Sequence, residues 1–233
     1  MILAIDTSSA MTSVALVDGM DVLASAAHVD ARRHAEVLAP MVQRVIDDAG
    51  VTPRLIACGV GPGPYTGLRV GIATAQGLAA AWDIPVVGAC SLDVLAAEAV
   101  HAGTVDAFTV ASDARRREVY WARYDADGVR IDGPYVGRPS AIAGPCVGEG
   151  AHIHDLTPNP CPELRFPSAV MLGRLVGRLL EDGAVPTEPA LALSAHGSDD
   201  GGTARALAGR RLLTATPLYV RRPDAVEAAE ATR

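Results

Sequence analysis

Three apolar-rich runs separated by polar and turn residues fill the first thirty residues. Ile2 to Asp6 reads as a buried strand, Thr12 to Val17 as a second and Val22 to Val29 as a third, with Asp18-Gly19 turning between the last two. This is an antiparallel meander. The period then changes: Val37, Leu38, Met41, Val42, Val45 and Ile46 recur at helical spacing, with Gln43, Arg44, Asp47 and Asp48 on the opposite face. That pattern predicts a helix ending near Gly50, with Pro40 in its early turns or kinking it. Leu55 to Val60 reads as a fourth strand, Thr66 to Trp82 as a second helix, and Ile84 to Gly88 as a short strand. Ser91 is placed to cap a helix from Leu92 to about Val100.

The break at His101-Ala102-Gly103 divides the chain into an N-terminal lobe, 1–103, and a C-terminal lobe, 104–223, followed by a tail, 224–233. The second half restarts with strands at Ala107 to Ala111, Glu118 to Tyr124 and Val129 to Val136, and Asp125 to Gly128 makes a turn. Ser168 then caps a helix carrying Val170, Leu172, Leu175, Val176 and Leu179. Asp182 to Gly202 is loop-rich, 203–209 suits a short helix, and Leu218 to Val220 a short strand that can return to the N-terminal lobe. The order strand, strand, strand, helix occurs in both halves. We expect an α/β protein with two similar lobes and an internal structural repeat.

The run Gly59-Val60-Gly61-Pro62-Gly63-Pro64-Tyr65-Thr66-Gly67-Leu68-Arg69-Val70-Gly71 sets turn-forming residues directly before a helix. Glycine permits close approach of another segment, and proline fixes φ and keeps its predecessor extended. In the helix that follows, Arg69 and Gln76 are the only long polar side chains, so it must be covered on more than one side. Gly67, Gly71 and Ala75 form a flat stripe at four-residue spacing. Either the chain's own first helix or sheet covers that stripe, or a partner does.

Composition narrows the chemistry. The hydrophobic fraction of 49% and mean hydropathy of +0.22 supply a packed core. All 20 cationic side chains are arginines, so a Schiff-base or phosphate-binding lysine is excluded. A formal charge of −7 argues against this chain alone gripping a nucleic acid, and Arg115-Arg116-Arg117 and Arg221-Arg222 read as solvated clusters. Cys58, Cys90, Cys146 and Cys161 are dispersed, as buried thiols in a reducing compartment are. The start of the chain lacks a basic region followed by a cleavage site, and Leu68 to Trp82 is too short to span a bilayer. We expect a cytoplasmic protein that does not enter the membrane.

Candidates for a site are few. Asp6-Thr7-Ser8-Ser9 closes the first strand, where a carboxylate and hydroxyls can meet a metal or phosphate, although hydrogen bonding within the turn serves equally well. The Gly/Pro loop lacks GxxxxGK[ST]. His34, with Glu36 two residues on, completes no triad or metal set, and His152 and His154 have no further ligands nearby.

Four segments together resemble the bacterial TsaB family, also called YeaZ: Leu3-Ala4-Ile5-Asp6-Thr7-Ser8, Arg33 to Pro40, Gly61 to Gly71, and Pro217-Leu218-Tyr219-Val220-Arg221-Arg222-Pro223. The resemblance implies a two-lobed actin/Hsp70/sugar-kinase-like (ASKHA) fold of mixed sheets and helices. It also implies a part in making N6-threonylcarbamoyladenosine at position 37 of tRNA, as a non-catalytic partner and activator of the TsaD transferase. TsaD holds a metal through His-x-x-x-His after a strand, and here Ser91 and Leu95 occupy that register. The resemblance therefore implies no catalytic residue, metal or required cofactor in this chain, with Asp6, Thr7 and Ser8 kept as candidates for weak nucleotide binding. It further implies docking of the first two helices on TsaD, or on a second copy when TsaD is absent. The residues assigned to that interface are Val37, Leu38, Met41, Val42, Val45, Gly67, Arg69, Val70, Gly71, Thr74, Ala75 and Leu78. An ATPase of the TsaE type joins the assembly, and tRNA is met only through the complex. Two alternatives stand beside this reading: an actin-like ATPase or kinase using Asp6 and the Gly/Pro loop, and a glycoprotease-like metallopeptidase.

Overall fold

The computed structural model describes residues 1–187, 209 and 211–220. Of the expected helix over 203–209, residues 203–208 lie outside the described residues, as do the Arg221-Arg222 cluster and the 224–233 tail. The chain begins with the meander β1 (Ile2–Asp6), β2 (Met11–Asp18) and β3 (Asp21–Val29), followed by α1 (His34–Ala49), β4 (Leu55–Gly59), α2 (Tyr65–Trp82), β5 (Val86–Ala89) and α3 (Ser91–His101). The first sheet has the order β3-β2-β1-β4-β5, with β4 parallel to both β1 and β5. A second meander, β6 (Phe108–Asp113), β7 (Val119–Tyr124) and β8 (Arg130–Gly137), leads through a 3-10 turn at Pro139–Ala141 to β9 (Cys146–Val147). The second sheet reads β8-β7-β6-β9, with β9 parallel to β6. The order of the first four strands is thus repeated.

Pleating explains why β1 is an unbroken apolar run. Leu3 and Ile5 pack with Val14 and Leu16 beneath Leu38, Val42 and Val45 of α1 and Leu68 and Ile72 of α2. Ile2 and Ala4 point the other way, with Ala15, Val17, Ala57 and Val87, beneath Leu172, Leu175 and Val176 of α5 (Ala169–Glu181). A strand covered on both faces needs no polar alternation. At Gly173, a Cβ would lie 2.6 Å from Val17 Cγ2, so α5 lies close on the sheet. Ser168 caps α5, its hydroxyl accepting from the Met171 amide, while its own N–H donates to Glu98 of α3. Pro40 sits within α1 on its exposed side, and the helix runs on past it.

Several expectations change in detail. The C-terminal lobe, 104–223, was expected to hold α5, yet α5 packs on the second face of the first sheet, against Ile2, Ala4, Ala15 and Val17. Leu218 to Val220 is not a strand. Residues 211–220 instead form a strap along the free edge of β5, where Leu213 and Gly88 exchange backbone hydrogen bonds of 2.6 and 2.8 Å. Further on, the Leu218 amide donates to the Val60 carbonyl at 2.8 Å, Gln76 donates to the Ala215 carbonyl at 2.7 Å, and Tyr219 stacks on Tyr65. The strap satisfies an edge that would otherwise expose unpaired backbone groups. β9 and α4 (Glu149–Ile153) have no counterpart in the sequence reading, being two and five residues long and too short to show a period.

Leu218 is 1% exposed and belongs to the main core. Leu218→Ala should lower the unfolding free energy by about 2–4 kcal/mol in urea denaturation. A change within about 0.5 kcal/mol, typical of a surface site, would show that the strap is not part of the fold's core.

Candidate functional site

Asp6 lies at the end of β1 and is fully buried. Its Oδ1 accepts the Ser8 amide and the Ser8 hydroxyl, both at 2.8 Å, and its Oδ2 accepts the Ser91 hydroxyl at 3.0 Å. Ser91 Oγ in turn accepts the Gly61 amide at 3.3 Å. The carboxylate therefore joins β1, the β1–β2 turn, the Gly/Pro loop and the start of α3. Burial, opposed by these hydrogen bonds, pushes its pKa up from 3.8 to about 6.

Glycines make this packing possible. A Cβ on Gly59 would overlap the Asp6 carboxylate, one on Gly63 the Ser8 carbonyl, and one on Gly71 the Thr7 hydroxyl; on Gly67 it would lie 2.5 Å from the Thr7 carbonyl. The Thr7 hydroxyl also donates to the Gly67 carbonyl at 2.7 Å. Gly59, Gly63, Gly67 and Gly71 thus recur every four residues against one three-residue turn.

This corrects the reading of the second helix. Gly67, Gly71 and Ala75 are buried within the chain, the two glycines against Thr7, and Leu38, Val42 and Val45 of α1 are at most 5% exposed in the same core. None of these six presents a free surface. Of the expected interface, Val37, Met41, Val70, Thr74 and Leu78 remain partly exposed along α1 and α2, and Arg69 is exposed. The Arg69 guanidinium lies 4.0 Å over the Tyr65 ring and donates to the Tyr219 hydroxyl at 3.2 Å.

Ser91 is not a cap. α3 starts at Ser91 itself after Cys90, and the hydroxyl is taken up by Asp6 and Gly61. Leu95, four residues on, is 1% exposed in the core. His34 is buried, with Nδ1 2.7 Å from Thr12 Oγ1, and burial lowers its pKa. It ties α1 to β2. Among the described residues, no group of three or more His, Cys, Asp or Glu stands close enough to hold a metal ion.

A second polar cluster was not foreseen. Asp93 of α3 pairs with Arg130 of β8 at 3.3 Å and accepts the Tyr124 hydroxyl at 2.8 Å, all three being buried, and Arg130 also reaches Cys90 Sγ at 3.6 Å. Acidic Asp93 beside Leu92 and Val94 was the available signal, but its partner lies 37 positions away. The cluster joins the first lobe to the second sheet. Burial pushes the Cys58, Cys90 and Cys146 thiols up to about 12, keeping them protonated and unreactive.

Two sheets of repeated strand order, joined through α3, form a two-lobed actin-like fold. Residues 22–175 match the family model described as "TsaD: tRNA N6-adenosine threonylcarbamoyltransferase". The chain is 47% identical over 148 residues to "Uncharacterized protein ML0378" of Mycobacterium leprae, covering 60% of this chain and 40% of that protein. It is 39% identical over 131 residues to "tRNA threonylcarbamoyladenosine biosynthesis protein TsaB" of Escherichia coli, covering 54% and 55%. These two matches span about half the length of those two relatives. Among solved structures, "YeaZ from Pseudomonas aeruginosa" aligns at a TM-score of 0.68 and 32% identity, over 78% of this chain and 93% of that one. The chain belongs to the TsaB/YeaZ family. No described helix is long and apolar enough to cross a membrane.

The raised pKa of Asp6 gives a measurable signature. Because the folded state holds this proton more tightly, folding takes one up between about pH 4 and 6, and stability falls as pH rises through that window. Relative to Asp6→Asn, the wild-type protein should lose about 3 kcal/mol between the two ends of the window and then stay level. Glu98 is pushed up to about 7 chiefly by burial and to a smaller degree by the Asp6 charge, so both proteins are compared in a Glu98→Gln background. Equal pH slopes in urea denaturation would mean that Asp6 titrates normally.

Proposed function

We propose that the protein takes part in making N6-threonylcarbamoyladenosine in tRNA, as a non-catalytic partner of a TsaD-type transferase. Family membership supports the pathway. The observation that carries the accessory role is the state of the Ser91 and Leu95 positions, where the family resemblance sets the paired metal-binding histidines of TsaD. Here the hydroxyl is held by a buried carboxylate, and the other side chain is an aliphatic in the core. Neither position offers a metal ligand of the imidazole kind. The Asp6 carboxylate is likewise engaged by Ser8 and Ser91 instead of facing outward.

Docking then uses what α1 and α2 leave uncovered: Val37, Met41, Val70, Thr74 and Leu78, with Arg69 and Tyr65 at the rim. A ridge of apolar side chains bordered by a cation and an aromatic suits a protein interface. The same ridge serves a second copy of the chain when TsaD is absent. Contact with α1 and α2 favours the active conformation of the transferase, so binding energy is converted into a population shift in the partner. A TsaE-type ATPase joins the assembly, tRNA is met through the complex, and the setting is the cytoplasm.

Co-purification with the TsaD-type subunit, followed by a threonylcarbamoylation assay omitting each protein in turn, tests the role. Modification should require both chains. Modification by this chain alone, or by the transferase without it, would overturn the accessory reading. Thr74→Arg should leave the thermal midpoint within a few degrees while weakening the complex about 30-fold or more, a hot-spot-sized loss. Gly71 is unsuitable for that test, since any side chain there meets Thr7 inside the fold. Unchanged complex formation by Thr74→Arg would remove α2 from the interface.

A further inference from the structure

The two faces of the second sheet are covered unequally. Phe108, Val110, Tyr120 and Ala122 pack in the core with Leu92, Leu95 and Ala96 of α3. On the opposite face, α4 covers Ala111, Val119 and Cys146 through Ala151. α4 has five residues, where the first sheet is covered by a thirteen-residue α5. Beyond α4, the segment 141–145 borders a cavity of about 370 Å³ lined in part by Thr109, Trp121, Arg123, Ile142, Ala143 and Pro145.

The lining has a definite chemistry. Trp121 forms a wall held in place by Tyr135, ring to ring at 4.9 Å, and the Tyr135 hydroxyl is anchored on Asp132. Thr109 is 3% exposed and lines the cavity. Arg123 is the one ionic side chain in the lining. Asp132, opposite it in the β7–β8 register, accepts from Tyr135 and the Gly133 amide, and no carboxylate among the described residues comes within ion-pair distance of Arg123. A buried threonine, an exposed guanidinium and an aromatic wall thus share one cavity of ligand size.

We propose that this cavity binds a small organic monocarboxylate with a flat apolar body, its carboxylate on Arg123 and Thr109 and its body against Trp121, Ile142 and Pro145. One guanidinium presents the planar fork that matches one carboxylate. A doubly charged phosphate finds only one cation here, and a cation finds no acidic group in the lining. The site lies on the second lobe, away from the α1–α2 ridge, and does not depend on the proposed role in tRNA modification.

Fluorine NMR of 4-fluorophenylacetate, with the neutral 4-fluorobenzyl alcohol as control, tests the proposal on the full chain. The acid should show saturable line broadening with a Kd near about 1 mM, and the alcohol should bind about tenfold more weakly or less. Arg123→Gln should weaken the acid about tenfold, and Thr109→Val several-fold. Ala143→Phe, which fills the cavity from its exposed rim, should abolish the broadening while circular dichroism stays unchanged. No saturable broadening up to about 10 mM would overturn the site. So would equal binding of the alcohol, or undiminished binding by Arg123→Gln, an exposed substitution that leaves the core intact.

Discussion

Burying a carboxylate is costly unless donors replace the water it leaves, and Asp6 finds its donors on the turn it begins and on the start of α3. The rest of the first lobe is arranged around that requirement. Ser8 must fold back over β1, Ser91 must open a helix at one particular place, and the Gly/Pro loop must pass close enough for the Gly61 amide to reach Ser91. The four glycines spaced from 59 to 71 are the steric half of the same constraint, each giving up a side chain where the turn comes nearest. The carboxylate is thereby an internal joint between β1, the β1–β2 turn and α3.

The two lobes share strand order but not upholstery. The first sheet has α1 and α2 on one face and α5 on the other, whereas the second, among the described residues, has α3 on one side and only a short helix on the other. α3 therefore belongs to both lobes, and the buried Asp93–Arg130 pair with Tyr124 fixes how they meet. A buried ion pair adds little net stability, but separating its members is expensive, so the junction resists sliding more than it strengthens the fold.

Much of this was legible in the residues. The two meanders, α1, α2 and the Ser168 cap follow from periodicity and capping chemistry, and the two-lobed arrangement follows from the repeated order of elements. Partnering was less legible. An apolar helix with a glycine stripe states that something approaches closely, but not whether that something is another subunit or a turn sixty residues earlier. Thr7 against Gly67 is such a case. Asp93 and Arg130 show the same limit, since nothing in either segment names the other and their meeting is a property of topology. β9 and α4 are too short to leave a period at all.

The position of α5 and the strap bears on how the chain matures. The sheet made by the first ninety residues carries one whole apolar face, including Ile2, Ala4, Ala15, Val17, Ala57 and Val87, that α5, beginning at Ala169, covers together with Val94 and Ala97 of α3. Its outer edge at β5 is closed later still, by 211–220. During synthesis, the N-terminal half therefore leaves the ribosome well before its own lid is made. It must keep that greasy surface shielded until the last segments emerge, so a premature stop late in the message would harm the beginning of the protein as much as its end.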